Sequence, residues 1–339
     1  MPGSTTLLNT VTLSEMTDLV EKEFKMQQEM IQPVAKQLFI MDAIAGNSGN
    51  TRRYDEIDTE TYAATKPEGV DASLAQVGTG YYVTGTVKRI AKEVQITWEM
   101  RRFNKFPEVT GQLTSLTHFC PQRVELDLTH RITFGNASSY TDRDGNVVDT
   151  TVGDTNVLFY SLHALKYSTA TYTNLVSGAP RFSQGGLEAA EALTVSDILS
   201  NFGERRVMHF NTIWSSDDPN TCREIKQVLQ STTDIDQNNP GVINVFQSKY
   251  RHLVLPMLAT TATGARNASK AKWWGIGSFG MGINGWQAYF GEAEAPNLKS
   301  PSTGNNGEDF HNDNWSYGVR SAYLIAVLSG RGIIASLAS

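Results

Sequence analysis

Gly275-Ile276-Gly277-Ser278-Phe279-Gly280 has the glycine spacing of a dinucleotide-binding turn. That chemistry needs a strand before the first glycine and a helix after the last, because the helix N-terminus must meet the pyrophosphate. Here Met281-Gly282-Ile283-Asn284-Gly285 follows, a poor helix, and no βαβ unit surrounds it. Turns between glycine-rich strands are the better reading. A soluble nucleotide-dependent enzyme, such as an oxidoreductase, is kept as an alternative. Asp142, Asp144 and Asn146 are spaced like calcium ligands, but Gly145 comes one place too early and no acidic residue closes the loop. Asp144-Gly145 reads as a hairpin turn instead. The six histidines are scattered, and His118 and His130, twelve residues apart on one helix, read as structural. No histidine is set by spacing against a serine or cysteine nucleophile. Neither a Gly-x-Ser-x-Gly elbow nor a Walker loop occurs. The expectation is no catalytic residue, no cofactor and no metal. The charged pairs Arg52-Arg53, Arg101-Arg102 and Arg205-Arg206 suit either acidic partners or plain solvation.

Whatever these residues do, they must be held by larger elements, and the stretch Phe106–Asn136 dominates the chain. Leu113, Leu116, Cys120, Val124, Leu128 and Ile132 recur at three- and four-residue steps and predict one long helix with an apolar stripe. Pro107 suits its first turn, Gly135-Asn136 its end, and Pro121 predicts a kink inside it. Its length would be roughly 40 Å at about 1.5 Å per residue. Gln112, Ser115, Gln122, Arg123, Glu125, Asp127 and Arg131 form a polar face, expected to be free for solvent or a neighbouring molecule.

Ahead of it, residues 1–11 read as a loose arm. Thr12 and Glu15 have capping-box spacing for a helix striped by Met16, Val20, Phe24, Ile31 and Val34. This helix would dock on its own body or on a neighbour. Residues 46–104 hold two strand-like runs about a polar middle, Tyr62–Gly80, with the return strand placed at Val87, Val94, Ile96 and Trp98. Two legs of about fifteen residues would reach roughly 50 Å at about 3.3 Å each. A lone two-stranded ribbon is marginal in water, so the expectation is an arm that another molecule supports. Deleting residues 60–80 should then leave the subunit folded and impair assembly. Further on, helices are predicted around Leu187, Ala190 and Leu193 and around Val195, Ile198, Leu199 and Phe202. A strand is expected over Val207–Trp214. A helix capped by Asp218 and opened by Pro219 buries Ile225, Val228 and Leu229, and Gln237–Gly241 is a break. Strands are expected at Val242–Phe246, His252–Leu258, within Lys272–Phe290, at Tyr317–Leu328 and at Gly332–Leu337, with a polar loop over Pro296–Asp313.

The 339 residues suffice for one large or two medium domains. A net charge of -6 argues against a chain whose main task is gripping nucleic acid. Cys120 and Cys222 make no disulfide framework, as in a reducing cytoplasm. No signal peptide or membrane-length apolar run is present, so the sequons at Asn136, Asn267 and Asn314 read as chance.

The order of arm, extended loop, long helix, compact α+β region and strand-rich return resembles the major capsid proteins of tailed bacteriophages, the Hong Kong 97-type fold. KRIAKEVQITWEMRRFNKFPEV resembles that family's return strand leading into its spine helix. VMHFNTIWSSDDPNTCREIKQVLQS is similar to its strand-turn-helix around the capsomer axis, and YGVRSAYLIAVLSGRGIIASL to its final strands. The resemblance implies an α+β fold divided into an N-terminal arm (1–45), an extended β-hairpin loop (46–104), a peripheral domain (105–150 and 242–325, spine helix 107–135) and an axial domain (151–241 and 326–339). It implies a structural, non-enzymatic protein of the virion, assembled in the bacterial host cytoplasm. Its subunits would form hexamers and pentamers that close an icosahedral or prolate head around double-stranded DNA, held without sequence specificity. A portal protein would be a partner, a decoration protein is left open, and no membrane is involved. The chain begins directly with the arm, which implies a separate scaffolding protein or a different maturation. Lys66 lies where some relatives carry a cross-linking lysine, but no asparagine partner or catalytic glutamate can be matched, so no cross-link is expected. Candidate subunit contacts are Arg52, Arg53, Lys66, Glu68, Arg101 and Arg102. An encapsulin-like nanocompartment shell is the alternative within the same fold.

Overall fold

A computed structural model describes residues 13–44, 49–59, 62–74, 77–102, 106–233, 243–301 and 314–339. In chain order the elements are α1 (Leu13–Met30), a 3-10 turn (Val34–Leu38), β1 (Ile40–Ala43), β2 (Thr51–Thr59), β3 (Val77–Thr86), β4 (Lys88–Ile96), α2 (Trp98–Arg102) and α3 (Phe106–Thr133). There follow β5 (Ser139–Thr141), β6 (Val147–Asp149), β7 (His163–Ala164), β8 (Thr171–Tyr172), α4 (Gln184–Ser196), β9 (Thr212–Ser215) and α5 (Pro219–Gln230). The chain closes with β10 (Arg251–Val254), β11 (Trp274–Gly277), β12 (Ala288–Lys299), β13 (Trp315–Val327) and β14 (Ile333–Ser336).

The predicted long helix is α3, 28 residues that run on through Pro121. Its stripe is buried as the spacing demands: Leu116, Cys120, Val124, Leu128 and Ile132 are all in the core. Leu116 and Cys120 pack with Ile96 of β4, Tyr317 and Val319 of β13, and Val20 and Phe24 of α1. So α1 docks on its own body; Thr12, its expected cap, lies outside the described residues. Val124, Leu128 and Ile132 join Leu253, Leu258, Trp286, Phe290 and Tyr323. At the C-terminus, Lys270 Nζ donates to the Thr133 carbonyl at 2.6 Å and sits 3.8 Å over the Phe134 ring. A cation there satisfies an orphan carbonyl and complements the helix dipole.

The polar face of α3 is free only in part, with Gln122 exposed, which corrects the sequence expectation for its second half. Glu125 and Asp127 are buried. Glu125 Oε2 accepts the Ala35 backbone N–H at 2.9 Å, opening the 3-10 turn. Asp127 accepts from Lys88, Arg123 and the Tyr323 hydroxyl. Arg123 is a local partner one turn back, but Ala35, Lys88 and Tyr323 come from distant parts of the chain, so local polarity could not reveal them.

Two four-stranded sheets flank this helix system. The first has the order β1-β12-β13-β4; β1 runs parallel to β12 and the other pairs are antiparallel. The second has the order β10-β9-β11-β14, parallel for β10 with β9 and antiparallel elsewhere. Strand alternation in the second sheet splits its side chains between two cores. Trp214, Ile333 and Ala335 face the α3 core, while Ile213, Ile276 and Ile334 meet Leu187 and Ala190 of α4 and Ile225 and Val228 of α5. The cap of α5 is the one the sequence implied, whereas that of α4, Ser183, was not singled out. Asp218 accepts the Thr221 N–H at 3.0 Å with Pro219 at the first position, and Ser183 accepts the Gly186 N–H at 3.1 Å.

Several boundaries move. The return leg of the extended loop is β3, with Gly78, Gly80 and Gly85 inside it; the stretch from Lys88 to Ile96 is instead a member of the first sheet, and Trp98 opens α2. Residues 198–203 do not extend α4; Ser200, Gly203 and Glu204 form a tight turn, with Gly203 at φ +84. Strand β9 is shorter than Val207–Trp214, and Val207 is exposed. Ile243 makes only an isolated bridge to Thr233, so residues 243–246 are not a strand, and Val242 lies outside the described residues. β12 runs to Lys299, through Pro296 at a register shift. The stretch 242–325 is shared between the two sheets, since β10 and β11 join β9 and β14. The break at Gln237–Gly241 and most of the loop Pro296–Asp313 lie outside the described residues.

Candidate functional site: the hairpin arm and its anchor

Strands β2 and β3 form a two-stranded hairpin, paired from Thr51 with Thr86 to Thr59 with Val77, with a bulge between Asp55 and Ile57. Alternation along RRYDEIDT sets Tyr54, Glu56 and Asp58 on a buried face and Arg53, Asp55 and Ile57 on an exposed one. The two fully buried positions of β3 are glycines, Gly80 and Gly85, while Val83 is half-buried against Tyr54, Leu324 and Ala326. An added Cβ at Gly80 would lie 2.6 Å from the Glu56 carboxylate and 2.7 Å from Asn201 Nδ2, and one at Gly78 would enter the Tyr167 ring. Glycine here lets the ribbon lie flush on the body. That overturns the expectation of an arm without support from its own chain.

The anchors are specific. At the root, Tyr54 stacks on Tyr289 with ring centroids 4.3 Å apart and donates to Asp42 Oδ2 at 2.7 Å. Burial, with Asp42 next, pushes the Tyr54 phenol up. Farther out, Lys166 Nζ donates to the Gly80 carbonyl at 2.6 Å and the Tyr167 hydroxyl to the Thr79 carbonyl at 2.7 Å. Between them Glu56 meets Arg331 and Asn201 in a buried polar cluster. Sequence reasoning passed over Glu56, Asp58, Asn201 and Arg331. The available signal was two acids on the inward face of an alternating run, and an arginine set between Gly330 and Gly332.

Beyond Thr59 the picture changes. Every described residue from Tyr62 to Leu74 is exposed, Leu74 at 94%. Lys66 and Glu68 lie on this tip, near a turn in which the Val70 N–H reaches the Pro67 carbonyl at 3.4 Å and Gly69 has φ +78. Arg52 and Arg53 are far from them, on β2: Arg52 Nε pairs with Asp42 at 2.9 Å, and Arg53 pairs with Asp55 at 2.6 Å while covering the Tyr82 ring at 3.9 Å. Arg101 and Arg102 belong to α2; their side chains lie outside the described ones. The six candidates are therefore spread over three places rather than gathered into one site.

Below the root a cleft of about 820 Å³ opens between β3, the β5–β6 hairpin, α3 and β13. Asp142 lies in it, accepting from Lys88 at 2.8 Å, from Arg123 at 3.1 Å and from the backbone N–H groups of Asp144 and Asn146, both at 2.9 Å. Burial works against its charge, but Lys88 and the Asn146 N–H outweigh that and hold the carboxyl down at about 2. These donors occupy the oxygens that a calcium ion would need, and Gly145, at φ +85, makes the turn the sequence implied.

The chemistry weighed for an enzyme is absorbed by packing. Gly275 and Gly277 lie within β11, paired to β9 on one side and β14 on the other. They make room for the Trp214 and Phe279 rings, not for a phosphate. One histidine does meet a serine: His252 Nε2 is 2.9 Å from Ser215 Oγ, a contact that spacing did not disclose. The Ser215 hydroxyl donates to the Ser216 carbonyl at 2.9 Å, so it accepts from the imidazole and is not activated by it.

No protein-family model matches the sequence, and no curated protein does. Among solved structures the chain is similar to the capsid of Ralstonia phage GP4, at 10% identity over 89% of this chain and 87% of that chain, with a TM-score of 0.49. It is similar to a chain of the bacteriophage PhiM1 mature capsid, at 12% identity over 89% and 85%, TM-score 0.48. A chain of the cyanophage Pam1 capsid is similar at 12% identity over 88% and 87%, TM-score 0.48.

Proposed function

We propose that this chain is the major capsid subunit of a tailed phage, of the Hong Kong 97 type, assembling as hexamers and pentamers into a closed head. The observation that carries the reading is the arm. A ribbon fixed along its length to a two-sheet body ends in a 13-residue stretch, Tyr62–Leu74, that is exposed throughout, including Tyr62, Val70 and Leu74. A subunit that spends this much chain on an anchored strut with a fully exposed end is built to meet another molecule. In this reading α3 is the spine. The sheet β1-β12-β13-β4 with α1 forms the peripheral domain, the sheet β10-β9-β11-β14 with α4 and α5 the axial domain, and β2–β3 the extended loop. Lys66 and Glu68 then serve as contacts at the tip.

A net charge of -6 suits a container, since phosphate contacts add up and a gripping wall would hinder packing of the DNA. The virion is its location, and a portal, a scaffolding protein and double-stranded DNA are its partners. The test is expression, with a scaffold where required, followed by electron microscopy: shells or capsomer rings are expected, and a monodisperse monomer under all conditions overturns the proposal. Deletion of 62–74, closed by a short glycine turn, should leave the subunit folded with its melting cooperativity intact and abolish closed shells. The earlier choice of 60–80 would remove Gly78 and Gly80 from the docked strand, so it tests two things at once.

A further inference from the structure

We infer that Arg331 is a positioning residue that fixes the direction in which the arm leaves the body. Its consequence for assembly rests on the shell-subunit reading; its geometry does not. Arg331 sits in the turn between β13 and β14 and is 2% exposed. Gly332, at φ +81, follows it, and an added Cβ there would lie 2.7 Å from the Trp286 nitrogen, so the turn has one available course. From that turn the guanidinium reaches the arm. Nη1 donates to Glu56 of β2, and Nη2 donates to Asn201 Oδ1 at 2.8 Å. Asn201 completes the cluster, its Nδ2 donating to Glu56 Oε2 at 2.9 Å and its backbone N–H to Asp58 Oδ2 at 2.8 Å.

The seat beneath the guanidinium is equally fixed. Its carbon lies 5.2 Å from the centroid of the Tyr172 ring, and Tyr172 stacks on His163 at 4.6 Å. His163 is held at both nitrogens, 2.8 Å from Asp154 Oδ2 and 3.2 Å from the Leu158 carbonyl. Three segments remote in sequence, at 56–58, 201 and 331, thus meet in one buried hydrogen-bonded unit.

A buried ion pair is poor evidence of net stability, because desolvation cancels much of the attraction. What it supplies is direction. Lys166 and Tyr167 bond only backbone carbonyls of β3, and a backbone carbonyl recurs at every residue, so these contacts do not by themselves select a register. A planar fork bonded to Glu56 and Asn201 at once accepts one register only, and a one-residue slip would turn Asp55 or Ile57 inward instead. Beyond the Tyr54 root, Arg331 therefore adds a side-chain-specific bond where Lys166 and Tyr167 hold only backbone.

Hydrogen exchange on the subunit tests this directly, with Arg331→Met, Arg331→Lys and Glu56→Gln compared with wild type. A released ribbon is marginal alone. In Arg331→Met, exchange of β2 and β3 should rise roughly a hundredfold or more, with β12 and β13 unchanged. Arg331→Lys should recover little, because it keeps the charge and loses the fork, and Glu56→Gln should give a smaller rise confined to the same strands. In assembly, Arg331→Met should give irregular or open particles. If β2 and β3 exchange no faster than wild type in the folded variants, the inference is wrong. Should Arg331→Met fail to fold, Glu56→Gln decides alone: equal exchange in it and wild type overturns the positioning role. A wild-type chain that never assembles overturns the capsid reading instead and leaves the exchange result standing.

Discussion

His130 should make the subunit acid-labile, by an amount that can be worked out. It lies on the inner side of α3, 1% exposed, with Nε2 3.0 Å from Thr260 Oγ1. That hydroxyl donates to the Met257 carbonyl at 2.6 Å, so the imidazole N–H is the donor between them. Phe134 and Tyr140 meet the ring edge-on at 5.1 and 5.4 Å. Burial drives its pKa from the ordinary 6.5 to about 4; Asp127 opposes this, while Lys270, Arg123 and Lys88 reinforce it. A base whose folded pKa is depressed binds its proton more readily when unfolded. The stability it permits is complete above pH 6.5 and is lost as pH falls toward 4. Between pH 7 and pH 4.5 the loss is about 2.5 kcal/mol, at about 1.36 kcal/mol per pH unit. Urea unfolding at the two pH values, on wild type and His130→Gln, measures it. The substitution will lower stability at pH 7, because it disturbs a packed site, but its pH slope should be flatter by that amount. Carboxylates titrate equally in both proteins and cancel in the difference. Equal slopes would refute the reasoning and mean that Asp127 keeps the ring protonated at little cost.

Two further substitutions test local parts of the account. Asp218→Ala removes the cap that Thr221 relies on and should destabilise the subunit by about 1 kcal/mol in chemical denaturation, with Asp218→Asn close to neutral. Gly80→Val places carbons against Glu56 and Asn201, and should cost about 1–3 kcal/mol or lift the ribbon from the body, seen as faster proteolysis within 51–86 while the rest of the chain stays resistant.

How much of this was legible depends on how local each signal was. The stripe of α3 and the Asp218-Pro219 start of α5 could be read from spacing alone, since a helix brings residues three and four apart to one side and a cap acts within one turn. The hairpin was legible in kind but not in place. Gly78, Gly80 and Gly85 look like loop residues, and only the body beneath them explains why a strand should lack side chains on that side. The polar face of α3 misled for a related reason. Asp127 looks solvated until Lys88, 39 residues earlier, and Tyr323, 196 residues later, are brought to it. Glu56, Asn201 and Arg331 escaped notice because no window of sequence contains two of them.

The same contrast separates the arm's two jobs. A contact surface that must meet a partner is best left uncovered, and the tip is that: every described residue from Tyr62 to Leu74 is exposed, Tyr62, Val70 and Leu74 among its polar neighbours. A strut that must present such a tip in one place cannot rely on apolar contact alone, because apolar packing fixes proximity more firmly than register. Directional bonds solve that problem, and desolvation makes them worthwhile only where every partner is satisfied. Glu56, Asp58 and Asn201 meet that condition among the described residues, whereas Arg331 Nε is left without a partner. A residue held with one buried donor unsatisfied is costly to the fold, and stability alone would favour replacing the Arg331–Glu56 pair by apolar side chains of similar volume. Its presence at the point where the arm meets the body is therefore better explained by aim than by stability. If so, replacing the pair together, Arg331→Met with Glu56→Leu, can leave the melting temperature nearly unchanged and still spoil the particle, whereas Arg331→Met alone strands the Glu56 carboxylate and lowers it.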